Sequence, residues 1–197
     1  MSTKEEKIRE KKNSIIEALK NCLQKDVYSK ITVQDVADEA GFSKGGLLYY
    51  YPTKEELYMD LMEHLFNEIA EDHINVMRGN LQSEEKASIS ALYGIEKFVL
   101  DRKTTKILIN LFLYGYEDEK IMKPMSEFMR RHLKLYEGIV QDARADLPSR
   151  RKTDFDAQFI ARIAQIIVLS AGLIESVDPI DLDPLKLVRY INSLFRG

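Results

Sequence analysis

Thr32-Val33-Gln34-Asp35-Val36-Ala37, followed by Ala40-Gly41-Phe42-Ser43-Lys44-Gly45-Gly46-Leu47-Leu48-Tyr49-Tyr50-Tyr51-Pro52-Thr53-Lys54-Glu55-Glu56-Leu57, carries the densest helix punctuation in this chain. Thr32 precedes Val33, Val36, Ala37 and Ala40, with Asp35 three places on. Ser43 precedes Lys44 to Tyr50, and Thr53 precedes a long apolar stripe with Glu56 three places on. A side-chain oxygen in such a position accepts from the unpaired amides of a first helical turn, and an acid three residues later answers the cap's own amide. Gly41 separates the first two segments; without a β-carbon it takes a positive φ freely and lets the chain reverse within a few residues. Pro52 ends the second segment, because the residue before a proline avoids helical angles. The spacing predicts two short helices joined by a tight turn, then a long helix.

Outward from this stretch, stripes of period 3.6 recur from end to end and no segment sustains period-two alternation, which predicts an all-α fold. Upstream, Ile8, Ile15, Ile16, Leu19, Cys22 and Leu23 form one stripe, placing the single cysteine in a helical core. Downstream, the helix from Thr53 carries Leu57, Leu61, Leu65, Ile69 and Val76 and is expected to end near Gly79 and Asn80. Ser83 is expected to cap a helix to about Lys103, with Ile89, Leu92, Ile95 and Val99 on one face. Further helices are expected over about 104–116 and 119–145, the second carrying Met122, Met125, Met129, Leu133, Tyr136 and Val140 and followed by Pro148 and a basic loop, Ser149 to Thr153.

Two short helices about a glycine turn make a helix-turn-helix, whose second helix is the element offered to a DNA major groove. Gly45 and Gly46 strip side chains from its front and allow close approach of backbone to bases or phosphates. Lys44 offers charge to a phosphate or guanine, and Tyr49 and Tyr50 offer hydroxyls to phosphate and ring faces to thymine methyls. Thr32, Ser43, Thr53 and Lys54 lie at helix N-termini, which favour anions, and are expected to clamp the DNA backbone. Tyr51 reads as core. Lys4, Lys7, Arg9, Lys11 and Lys12 are interleaved with Glu5, Glu6 and Glu10 and read as a solvated face.

This order of caps, turn glycine, aromatic run and Thr-Lys-Glu-Glu-Leu helix start resembles the DNA-binding signature of the TetR (tetracycline repressor) family of bacterial regulators over about a quarter of the chain. Members often carry an aromatic residue where Leu48 stands, so the resemblance implies an apolar thymine-methyl contact there in place of a hydrogen bond. It implies a helix-turn-helix DNA-binding domain over 1–54 and a helical ligand-binding and dimerisation domain over 55–197. It also implies a repressor released from double-stranded operator DNA when an unknown, largely apolar small molecule binds the rear domain. The long helix from Thr53 would be the lever between the two.

In the rear half, Phe98, Phe112, Tyr116, Met122, Met125, Phe128 and Met129 form a Met-rich and aromatic cluster able to line an apolar cavity. Ala157 to Ile174 is apolar around most of its circumference, and Gln158, Arg162 and Gln165 argue for a buried soluble helix over a membrane span. Asp183 caps a last helix with Pro184 at its first position. These two helices are expected to form a homodimer interface through Ile163, Ile167, Ser170, Ile174, Val188, Ile191 and Phe195.

Composition is that of a soluble globular chain, with 45% hydrophobic and 31% charged residues. Residues 1–54 hold ten Lys/Arg against eight Asp/Glu, whereas the other 143 hold nineteen against twenty-four, a mildly basic front and an acidic rear. One cysteine and no visible secretory signal predict a cytoplasmic protein. No enzyme, metal or cofactor is expected: His64, Glu68 and Asp72 share a helix face, yet no Glu-x-x-His pair occurs and Cys22 has no histidine nearby in sequence. A helical protein-interaction module ranks as the alternative, and a metal-binding helical enzyme behind it.

Overall fold

The computed structural model describes residues 3–145 and 154–196, and the regular structure among them is helical, as expected for an all-α fold. In chain order these are α1 (Lys4–Lys25), α2 (Val33–Ala40), α3 (Lys44–Tyr50), α4 (Lys54–Val76) and α5 (Ser83–Ile95), a π-helical turn (Glu96–Leu100), then α6 (Arg102–Glu117), α7 (Glu119–Ala145), α8 (Ala157–Val177) and α9 (Pro184–Arg196). Pro148 and the basic stretch Ser149 to Thr153 lie outside the described residues. The helices sort into two compact units: Met1–Asn67 with Lys106–Met122, and Glu68–Thr105 with Lys123–Gly197.

The first unit is built as the caps dictate. Thr32 Oγ1 accepts from the Asp35 amide at 3.2 Å, while the Asp35 carboxylate accepts from the Thr32 amide and hydroxyl, both at 2.7 Å. Gly41 then takes φ 71°, and the Phe42 amide reaches back to Ala37 O at 2.8 Å, the six-to-one bond of a helix stop. Space around Gly41 is open to a β-carbon, so the left-handed angle is what asks for glycine there. Ser43 Oγ accepts from the Gly46 amide at 3.0 Å and Thr53 Oγ1 from the Glu56 amide at 3.1 Å. Ile15, Ile16, Leu19 and Leu23 of α1 are buried with Val36 and Ala37 of α2, Leu47 of α3, and Leu57, Tyr58, Leu61 and Leu65 of α4. Cys22 is buried as expected, its thiol donating to Asp35 O, and burial pushes that thiol up.

The second unit departs from expectation at α5. Its cap is Gln82, one residue ahead of Ser83, with the Gln82 amide donating to Glu85 Oε2 at 2.9 Å. The helix is regular only to Ile95 and gives way to the π turn, which the Asp101 amide closes on Glu96 O at 2.8 Å. Asp101 then caps α6 by accepting from the Lys103 and Thr104 amides, so no single helix runs to Lys103. Of the expected apolar face, Ile95 and Val99 are buried and Leu92 is exposed, and Ala87, Ser90, Ala91 and Gly94 are buried as well. Small residues turn inward because neighbours approach α5 closely; the space a Gly94 Cβ would take is bounded by the Tyr136 hydroxyl at 3.0 Å and by Val168. At Gly172 of α8, a Cβ would overlap the Phe98 carbonyl oxygen of the π turn. Asp183 Oδ1 accepts from the Leu185 and Lys186 amides, so α9 starts where the sequence placed it.

Candidate nucleic-acid interface

Seven residues of α3 must both anchor the helix and leave a face free. Leu47 and, just past the helix, Tyr51 supply the anchor; both are buried. Tyr51 donates its hydroxyl proton to Asp60 Oδ2 at 2.5 Å, and Lys12 lies 3.7 Å from the same carboxylate and 4.6 Å above the Tyr51 ring. Tyr51 therefore has the core role that its position suggested, and its phenol is pushed well above the ordinary range by burial and by Asp60.

On the other side, Thr32, Ser43, Lys44, Gly45, Tyr49 and Thr53 are exposed, and Gly46, Leu48, Tyr50 and Lys54 are half-buried. Tyr49 is 75% exposed and meets Tyr50 edge-on at 5.1 Å, while Tyr50 meets Phe42 edge-on at 5.8 Å. The aromatic run thus splits by depth: Tyr49 is offered outward, Tyr50 braces the turn, and Tyr51 is core. Gly45 faces open space, so packing inside the protein places no demand for glycine there. A Cβ at Gly46, in contrast, would stand 3.1 Å from Ser43 Oγ.

The three caps are not equivalent. Each oxygen accepts from its own helix, but the Thr32 hydroxyl proton is also committed, to Asp35. Ser43 and Thr53 spend only lone pairs on the helix, leaving a proton each to donate to a phosphate oxygen. Lys54 is turned elsewhere: its ammonium donates to Tyr28 O at 2.6 Å and sits 3.8 Å over the Tyr28 ring, and burial holds its pKa below the usual lysine range. Of the basic lead-in, Lys4, Lys7, Arg9 and Lys11 are exposed, with Lys11 5.4 Å above the Phe42 ring.

Sequence reasoning did not single out Tyr28 or Asn110. Tyr28 lies between α1 and α2, where no periodicity marks it. Asn110 did carry a signal, as a lone amide inside the apolar run Ile107-Leu108-Ile109-Asn110-Leu111-Phe112-Leu113, since a buried amide needs a partner.

The residues expected to line a ligand cavity are divided between the two units. Phe112, Tyr116 and Met122 fall in the first unit, with Tyr116 80% exposed; Phe98, Met125, Phe128 and Met129 fall in the second, the first three buried. A cleft of about 320 Å³ in the second unit is lined instead by Asp72, Asn75, Val76, Tyr93, Glu96, Lys97 and Asp101. Beside it Tyr93 stacks on the fully buried His73 at 4.7 Å, and His73 Nε2 lies 2.9 Å from Ser90 Oγ. His132 is buried 5.6 Å from His73, ringed by Phe98, Phe128 and Tyr136. Glu68 and Asp72 both pair with Lys97, at 3.4 and 3.6 Å, and among the described residues no three His, Cys, Asp or Glu side chains are grouped as a metal site.

The residues expected to form a dimer interface divide by depth. Ile191 and Phe195 are buried within the chain, Ile163, Ile167, Ser170 and Val188 are half-buried, and Ile174 is 59% exposed. Helix α8 is long and apolar enough to cross a membrane by length and composition, but it buries Ile160, Ala161, Ala164 and Val168 inside the unit. Its other side exposes Phe159, Ile166, Leu173 and Val177, and Leu185 and Tyr190 of α9 are exposed as well.

Comparison with known proteins agrees with this geometry. A transcriptional regulator of the helix-turn-helix type from Bacillus subtilis, YfiR, is 34% identical over 61 residues, which are 31% of this chain and 29% of that protein. Among solved structures, a protein of Saccharomonospora viridis in complex with choline superposes with a TM-score of 0.80 at 13% identity, covering 93% of this chain and 94% of that one. AibR, solved with isovaleryl coenzyme A and operator DNA, superposes with a TM-score of 0.74 at 13% identity, covering 94% and 98%. The match to YfiR spans less than a third of that relative, and the two structural likenesses establish the fold. Residues 15–61, from the core of α1 into α4, match the profile of the bacterial regulatory proteins of the tetR family.

Proposed function

We propose that the chain is a dimeric, cytoplasmic DNA-binding transcriptional regulator, a repressor that leaves its operator when a small molecule binds. The observation that carries this reading is the division of α3, which buries Leu47 and presents Lys44, Gly45 and Tyr49 to solvent. A short helix held by one apolar anchor and offering a cation, a bare backbone and a phenol suits insertion into a major groove. Ser43 and Thr53 would position the helix on phosphates, and Leu48 would meet a thymine methyl. DNA binding is assigned to residues 1–54 and regulation to 55–197.

Dimerisation is assigned to the exposed apolar side of α8 and α9, an interface that gives two recognition helices and hence a two-fold operator. The small-molecule role is supported by the neighbours bound to choline and to isovaleryl coenzyme A. The exposed apolar side also suits the second reading, a helical interaction module without DNA binding. Titrating the protein against DNA from upstream of its own gene at several salt concentrations separates the two. A regulator gives a tight complex whose log affinity falls steeply and linearly with log salt. An interaction module gives at most weak, sequence-indifferent binding.

A further inference from the structure

Tyr28 stands midway along the link between α1 and α2, and both polar groups of its backbone are taken by side chains distant in sequence. Its amide donates to Asn110 Oδ1 of α6 at 3.0 Å, and its carbonyl accepts from Lys54 Nζ, the first residue of α4, at 2.6 Å. The ring is held as well, 4.1 Å from Tyr58 and 4.2 Å from Tyr114, with the Lys54 ammonium 3.8 Å from its centroid. Tyr28 is 7% exposed and Asn110 4%.

The α6 side of this grip is one helix face. Lys106, Asn110 and Tyr114 are spaced four apart and so lie one above another. Lys106 Nζ donates to Gln24 O in the last turn of α1, and Asn110 Nδ2 donates to Lys106 O, which fixes the amide so that its oxygen meets Tyr28. The same Tyr28 carbonyl also accepts from the Ile31 amide at 3.2 Å, and Ile31 immediately precedes Thr32, the cap of α2. A shift of Tyr28 therefore moves the start of α2, and with it the turn at Gly41 and α3. All these groups belong to the first unit.

We infer that Asn110 and Lys54 are positioning residues for DNA binding, holding the Tyr28 peptide from both sides and so fixing where α3 is presented, without touching DNA themselves. The inference rests on the DNA-binding reading above. It makes α6 from Lys106 onward part of the DNA-reading head, and it gives Lys54 a different duty from a phosphate clamp. Asn110 has no route to DNA in this role; its effect passes wholly through the Tyr28 amide.

The test uses the full chain and operator DNA in three variants. Asn110→Leu keeps the size and favours the helix but leaves the Tyr28 amide unpaired; Asn110→Gln keeps both the acceptor and the donor of the amide on a longer stem; Lys54→Met keeps the stem and removes the ammonium. Asn110→Leu is expected to weaken operator binding by roughly tenfold, the equivalent of one hydrogen bond, and to speed hydrogen exchange across 26–40, with Asn110→Gln restoring part of both. Lys54→Met is expected to weaken binding while leaving the slope of log affinity against log salt unchanged, since no phosphate contact is lost. Wild-type affinity in Asn110→Leu, or equal loss in Asn110→Leu and Asn110→Gln, overturns the role of Asn110 while leaving the regulator reading intact. A slope reduced by about 0.9 in Lys54→Met places Lys54 on a phosphate and overturns its role. Failure of the wild-type chain to bind DNA removes both the inference and the reading beneath it.

Discussion

Gly45 is a glycine that the packing of its own fold does not require. A β-carbon there would meet nothing within 4 Å, its backbone is helical, and alanine is the better helix former by up to about 1 kcal/mol. The Gly45→Ala protein is expected to melt at the same temperature or higher and, on the proposed docking of α3, to bind operator at least tenfold more weakly, because the methyl group would enter the space left for DNA. Calorimetry and a binding titration on one preparation check both; undiminished binding removes Gly45 from the contact surface. His73 and His132 make the opposite case, polar residues wholly inside. Burial, helped by the neighbouring His132, lowers the pKa of His73 from 6.5 to about 3, and burial lowers that of His132 to about 4, so both are neutral in the folded chain. Unfolded, they take up protons below about pH 6.5, so the stability their neutrality confers is present above that pH and drains as pH falls toward 4. The loss is at most about 1.4 kcal/mol per pH unit for each group. Urea melts at pH 7.5 and 5.5 should show this decline, and His132→Phe should flatten it; equal midpoints at the two pH values contradict the burial of the pair.

At the scale of elements, legibility followed local chemistry. Boundaries of α2, α3 and α9 were readable because Thr32, Gly41, Ser43 and Asp183 act on neighbours within a few residues. The end of α5 was not, because the π turn is stabilised from outside it, by the close approach of α8, and adds one residue that no period announces. Gly172 is the mark of that approach, yet in sequence it is one small residue in an apolar helix. Gly172→Ala is expected to destabilise the chain by roughly 1–3 kcal/mol, since its methyl group meets backbone, which cannot turn aside. An unchanged melting midpoint would mean that the π turn and α8 yield without cost. The candidate interface was legible in the same partial way. Residue types at Ser43, Lys44, Gly45 and Tyr49 pointed to it, whereas the inward turn of Lys54 depends on Tyr28, twenty-six residues away.

For the whole molecule, apolar surface is the quantity that sequence periodicity could not apportion. A stripe on α8 or α9 looks the same whether it faces its own unit or another chain, and the structure divides it: Ile191 and Phe195 inward, Ile174, Leu173 and Val177 outward. If the outward part pairs two copies, Ile174→Glu buries an unpaired charge in the interface and should weaken dimerisation by roughly a hundredfold. Sedimentation would then show monomers at micromolar concentration, with operator affinity falling in parallel; dimers of unchanged stability would move the interface elsewhere. The central claim is that two copies of α3 read neighbouring turns of one duplex, and hydroxyl-radical footprinting on the upstream DNA tests it most directly. The account predicts two protected patches about 10 base pairs apart, centre to centre, on one face of the duplex, both lost in the Lys44→Ala protein. A single patch, or protection that survives Lys44→Ala unaltered, would contradict it.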